Sequence, residues 1–190
     1  MSDPLTDALK RAVATLEAER IPYLVGGGLG CWARGGPPSG NDVDLMVKRE
    51  DAERTQRALA ASGMRPERPP EQWLLKAWDG DVLIDLIFEP AGVRITDEVL
   101  ERGERLNVAG MQMNVMALDD ILATKLLALD EHSADYRDLL QIGRSLREQI
   151  DWEALRQRTD SNPFARAFFT LADGLGIAVR ERQAAGSRRA

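Results

Sequence analysis

The sequence predicts an α/β (α+β) fold: a mixed β-sheet core with helices, followed by a small C-terminal helical subdomain. Three observations carry this prediction. Helical stripes alternate with short apolar runs through the first part of the chain. Two pairs of those runs are joined by tight turns, at Asp79-Gly80 (a favoured hairpin dipeptide) and at Ala109-Gly110. After Leu118 the strand pattern ends, and the chain reads as helical to about Arg182. The expected boundaries are therefore 1–117 for the core, 118–182 for the helical subdomain and 183–190 for a frayed tail.

The elements follow in order. Asp3-Pro4 is an N-cap with proline at the first helical position, and Leu5, Leu9, Val13 and Leu16 form a stripe to about Arg20. Ile21 to Val25 reads as a buried strand entering the tight turn Gly26-Gly27-Gly28. A short helix from about Leu29 to Ala33 precedes a loop, Gly35 to Gly40. Val43 to Val47 is a strand, and Asp51 to Ala61 a helix closed by Gly63. Trp73 to Trp78 and Val82 to Phe88 form the first hairpin, Thr96 caps a short helix, and Arg105 to Val108 and Met111 to Val115 form the second hairpin.

Composition excludes several classes of function. The chain has 190 residues, a net charge of −6, one cysteine and one histidine. One cysteine excludes an internal disulfide and a thiolate cluster, and one histidine excludes a multi-histidine zinc site. The acidic balance argues against a general nucleic-acid coating protein, and the late arginines from Arg144 to Arg189 read as solvated helix faces. No apolar run approaches the roughly 20 residues that span a bilayer, and the polar start lacks a signal-peptide core. A cytoplasmic protein is expected.

The acidic residues inside the strands are the informative ones. Asp42 and Asp44 are two positions apart, so on a strand they face the same way, roughly 7 Å apart. Two such carboxylates repel unless a cation lies between them or one is protonated. Asp85 interrupts the apolar run Val82-Leu83-Ile84-Asp85-Leu86-Ile87-Phe88, where an unpaired charge is costly. Each acid alone has an ordinary reading, as a turn residue for Asp42 or an arginine partner for Asp85. Together, on neighbouring strands, they suit hard divalent cations, and could hold two about 4 Å apart for in-line phosphoryl displacement. Gly27 and Gly28, about fifteen residues before Asp42, would let phosphate oxygens approach bare backbone N–H groups.

The pattern Val25-Gly26-Gly27-Gly28, a short helix, then Asn41-Asp42-Val43-Asp44-Leu45 resembles the polymerase-β-like nucleotidyltransferase superfamily. The resemblance covers about residues 20 to 90 by motif and extends less specifically to about 150. It implies Mg²⁺-dependent (Mn²⁺ as an alternative) transfer of a nucleotidyl group from a nucleoside triphosphate, such as ATP, to an acceptor. It assigns Asp42, Asp44 and Asp85 to metal, Asp85 also to deprotonating the acceptor hydroxyl, and Gly27 and Gly28 to phosphate. Small relatives carry an Arg and a Ser or Thr before the first acid. Here Pro38 and Gly40 stand in those places, with Ser39 alone nearby as a triphosphate contact. That departure keeps open an inactive, partner-binding descendant.

A second polar segment adds to the resemblance. Lys125 interrupts the apolar face of the helix beginning at Leu118, and His132 to Leu140 carries Asp135 and Asp138, expected on one helix face. This is similar to small nucleotidyltransferases of the AbiEii/MenT toxin type and of the aminoglycoside type. On that likeness Lys125 neutralises triphosphate charge, and Asp135 or Asp138 positions Lys125 or acts on the acceptor. Outward snorkelling of Lys125 and a solvated helix-start Asp135 are the plainer alternatives. The implied acceptor is RNA, such as a tRNA end in a toxin–antitoxin setting, or a small hydroxylated molecule. His132 reads as a helix-end residue, Cys31 as packing, and the tryptophans and the Met111-x-Met113-x-x-Met116 series as core or strand packing.

Overall fold

The structure, a computed structural model, describes residues 3–38 and 42–178. The element order is α1 (Pro4–Ala18), β1 (Leu24–Val25), α2 (Gly27–Trp32), β2 (Asp42–Met46), α3 (Arg49–Ala61), β3 (Arg65–Glu67), β4 (Leu74–Asp79) and β5 (Val82–Ile87). It continues with α4 (Asp97–Glu101), β6 (Glu104–Val108), β7 (Met111–Val115), α5 (Leu118–Leu127), α6 (Arg137–Leu146), α7 (Trp152–Thr159) and α8 (Pro163–Gly174). The seven strands form one sheet in the order β3-β4-β5-β2-β1-β7-β6. It is mixed: β2 runs parallel to β5 and β1 parallel to β7, while the other neighbours are antiparallel.

Side-chain alternation along the strands divides the core in two. Val43, Leu45, Ile84 and Leu86 are fully buried on the face covered by α1 and α3, with Leu9, Leu16 and Leu59 among their neighbours. The α1 stripe expected from the sequence is the buried face, and Asp3 caps that helix by accepting from Leu5 N–H. On the other face, Leu24, Met46, Leu74 and Ile87 join Ile121, Leu126, Leu139, Trp152 and Phe168 in a second cluster. The C-terminal helices therefore pack onto the same sheet. Asp120 of α5, 3% exposed, is held by Arg102 at 2.9 Å and by Arg158 of α7, which satisfies its buried charge.

Both expected hairpins form. In β4–β5 Gly80 takes a φ of +60°, and in β6–β7 Ala109 and Gly110 take +51° and +84°. Three details differ from the sequence reading. β3 is an additional edge strand; Pro66 lacks an N–H and hides the pattern, and the Gln56 amide bonds Glu67 and Lys76 carbonyls at 2.8 Å each to hold it. The helical run after Leu118 is broken into four, with Asp151 and Asn162 capping the last two. Asp135 and Asp138 do not share a helix, because α6 starts at Arg137 and Asp135 precedes it, accepting from Arg137 N–H at 2.9 Å. Ser39, the end of the expected helical segment and the expected tail lie outside the described residues.

Leu86, on the central pair of parallel strands, carries the first core. Leu86→Ala is expected to lower unfolding stability by about 2–5 kcal/mol in denaturant titration, whereas Leu175→Ala, at a residue 48% exposed, should change it by about 0.5 kcal/mol or less.

Candidate active site

The apolar residues of β2 and β5 decide where the acids go. Val43 and Leu45 of β2 and Ile84 and Leu86 of β5 must face the first core, so Asp42, Asp44 and Asp85 are turned to the opposite face. The parallel register sets Asp44 directly beside Asp85 and Asp42 beside Leu83. One carboxylate oxygen from each of the three acids lies within 4.8 Å of the other two.

The glycine turn is built around the same group. Gly26 N–H bonds the Asp44 carbonyl at 2.9 Å, which fixes the turn on β2. Gly27 has a φ of +52°, and a β-carbon added there would meet Asp44 Oδ2 at 1.6 Å. Only glycine lets the backbone lie against this carboxylate.

Three anions at this spacing are electrically unfavourable. Burial pushes Asp44 up to about 7, with repulsion from Asp42 and Asp85 adding to it and Lys125 opposing it. Burial also pushes Asp85 up to about 6; Lys76 opposes, while Asp42, Glu71 and Glu67 reinforce. Asp85 Oδ1 is buried without a hydrogen-bond partner. An oxygen-only donor set, mutual repulsion and an orphaned buried oxygen all fit a hard divalent cation such as Mg²⁺ or Mn²⁺. Among the described residues no other group of acids, histidines or cysteines meets the same spacing.

Beside the acids opens a cleft of about 400 Å³, lined by Gly28, Cys31, Pro37, Pro38, Asp42, Asp44, Lys125, Asp138, Gln141 and Ile142. The structure thus brings Gly28 and Lys125 to the same cleft as Asp42 and Asp44. Lys125 is half-buried and has no ion-pair partner among the described residues. Asp138 supplies the carboxylate from α6, and Asp135 stays outside, exposed, with its backbone bond. Cys31 is buried, and burial raises its thiol to about 11, so it remains a neutral packing group against the cleft floor. Asp85 is not among the residues lining this cleft; it stands in register with Lys76 of β4, and Lys76, Trp78 and Leu83 there are only partly covered. Sequence reasoning missed Gln141 and the two prolines as wall residues; Gln141 carries no signal beyond standing three residues after Asp138.

The family to which the chain belongs is shown by its sequence profile. The sequence profile of the family described as "Uncharacterised nucleotidyltransferase" matches residues 4–173, and the chain belongs to that family. No curated protein matches the chain by sequence. Among solved structures, the fold is shared with ANT(2″)-Ia, determined in complex with adenylyl-2″-tobramycin: 15% identity, 87% of this chain and 97% of that one, TM-score 0.63. An antigenic nucleotidyltransferase-like protein from Paracoccidioides brasiliensis matches at 17% identity over 94% of this chain and 95% of that one, TM-score 0.59. The lincomycin-bound lincosamide antibiotic adenylyltransferase LnuA matches at 13% identity over 79% and 98%, TM-score 0.52.

Two outcomes are expected here. In metal-free buffer Asp44 has a folded-state pKa near 7 against about 3.9 unfolded, so the native state holds the extra proton between those values and stability falls as pH rises from about 4 to 7. Asp44→Asn should therefore stabilise the protein in EDTA at pH 8, on the order of 1–3 kcal/mol by thermal unfolding, and by little at pH 4. Gly27→Ala should displace Asp44 and abolish the stabilisation by Mn²⁺, which for a bound site is about 2.7 kcal/mol at a hundredfold excess over Kd.

Proposed function

We propose that the protein transfers a nucleoside monophosphate from a nucleoside triphosphate to an acceptor hydroxyl, with a divalent cation held by Asp42, Asp44 and Asp85. The observation that carries this reading is the meeting of the three carboxylates at the edge of a cleft that also receives Lys125 and Gly28. A bound divalent cation would supply charge neutralisation for the acids and for the phosphates.

The chain's own groups then divide the work. The Lys125 ammonium is a point charge suited to the triphosphate, and Gly28 offers backbone free of a side chain. These features support a triphosphate on the cleft side. Asp85 lies outside the cleft lining, in register with Lys76 of β4, and has an unpartnered oxygen, which supports an acceptor approaching from the β4 side. Asp85 Oδ1 takes the proton of the acceptor hydroxyl, the acceptor oxygen forms a bond to the α-phosphorus, and the bond from that phosphorus to the bridging oxygen breaks. Pyrophosphate leaves. Most of the rate comes from positioning and charge compensation.

Of the acceptors that the resemblance admits, a small hydroxylated cation is supported best. The field at Asp85 is set by Asp42, Glu71 and Glu67 against Lys76 alone, and the whole chain carries −6. Such a surface attracts amines and repels a phosphate backbone. Two solved relatives of the fold have antibiotics named in their descriptions, tobramycin and lincomycin.

The test is label transfer from α-labelled triphosphates in Mg²⁺, with an aminoglycoside panel in one arm and total RNA in the other. Label should appear on a cationic small molecule, and Asp42→Asn with Asp44→Asn should lower the rate at least about a thousandfold. Folded protein that labels no acceptor and binds no triphosphate would instead support the partner-binding alternative.

A further inference from the structure

The helix that carries Lys125 has a second face, and a second cavity lies against it. Asp120, Ala123, Thr124 and Leu127 recur at helical spacing on α5, and all four line a cavity of about 200 Å³. It shares no lining residue with the cleft beside the acids. Val93 and Ile95 from the segment between β5 and α4, Val99 of α4 and Met116 complete an apolar wall, and Val93 is 37% exposed. Arg102, at the end of α4, and Arg158 of α7 are the remaining lining residues. We infer that this cavity is a second ligand site, for a small monocarboxylate with an apolar body: the two guanidiniums take the carboxylate and the apolar wall takes the hydrocarbon. The inference does not depend on the nucleotidyl-transfer reading.

Charge and volume choose the ligand. Asp120 is 3% exposed, and each of its oxygens already accepts from one guanidinium, Oδ2 from Arg102 Nε at 2.9 Å and Oδ1 from Arg158. One arginine balances one carboxylate, so two of them against Asp120 leave the charged groups of the lining with a single net positive charge. A guanidinium has five N–H donors, and Arg102 and Arg158 donate to no other group among the described residues. Such planar forks match a further carboxylate better than any neutral headgroup. Glu98 and Asp119 feel the same arginines from outside the lining and close no ion pair with them among the described residues. A dry cavity of roughly 150 Å³ holds a benzene-sized guest, so about 200 Å³ suits a body of about six carbons. A hydrocarbon of that size makes dispersion contacts with this wall that water does not.

The experiment is an NMR titration of the ¹⁵N-labelled full chain in metal-free buffer, where no cation carries a carboxylate to Asp42, Asp44 and Asp85. Hexanoate is the probe, with hexan-1-ol, hexylamine and propionate as comparison ligands. The expected result is saturable shifts at the amides of 93–102 and 120–127, with hexanoate binding at least about tenfold more tightly than each of the other three. Val93→Glu, at an exposed position of the lining that leaves folding intact, should weaken hexanoate about tenfold by setting a like charge beside its carboxylate. Arg158→Gln, which keeps Arg102 on Asp120, should bring hexanoate and hexan-1-ol to similar affinity. No saturation with hexanoate, shifts confined to other residues, equal affinity of the wild type for hexan-1-ol, or unchanged hexanoate binding in Val93→Glu would each overturn the inference and leave the nucleotidyl-transfer reading standing.

Discussion

Repulsion among Asp42, Asp44 and Asp85 is the constraint around which this molecule is organised. Two unit charges at the 4.8 Å limit of their oxygens repel by roughly 3–4 kcal/mol at an effective dielectric of about 20, before any penalty for burial. A sheet that only had to fold would not keep three acids there. Among the described residues no ion pair compensates them: Lys125 and Lys76 lower the repulsion at Asp44 and Asp85 without closing an ion pair on either. Under the proposed function the arrangement is a stability liability that a bound divalent cation would relieve.

The fold tolerates this liability because the two faces of the sheet have different jobs. The face toward α1 and α3 is dry, with Val43, Leu45, Ile84 and Leu86 fully buried, and it fixes the register of β2 against β5. A slip of one residue would bury the acids and expose the apolar set, so the core enforces the geometry of the site. The other face is covered at Met46, Leu74 and Ile87 by the C-terminal helices and left accessible at the acids. Those helices also deliver Lys125, Asp138 and Gln141. The Arg102–Asp120–Arg158 cluster anchors α5 between the α4 region and α7, and so anchors the helix that carries Lys125.

Much of this was legible in the residues. The alternation Asp42-Val43-Asp44-Leu45 and the lone acid in Val82 to Phe88 follow a period of two, which strand geometry converts directly into facing. Gly27 was also readable, though its physical reason, the approach of Asp44 Oδ2, needs coordinates. The C-terminal part was less legible. Asp135 and Asp138 looked equivalent at three-residue spacing, and the difference arises because Asp135 bonds Arg137 N–H ahead of the helix instead of joining it. Gln141 was invisible for another reason: a polar residue on an exposed helix side has no mark in sequence that says a cleft lies opposite. β3 escaped notice because its central residue is proline.

The most direct test of the central claim is a crystal structure of the protein soaked with Mn²⁺, read by anomalous scattering. The account predicts a peak among Asp42, Asp44 and Asp85, with carboxylate oxygens about 2 Å from the ion. A protein that is saturated with Mn²⁺ in solution yet shows no peak there, or shows it elsewhere on the surface, would contradict the claim that a divalent cation is what holds these acids together.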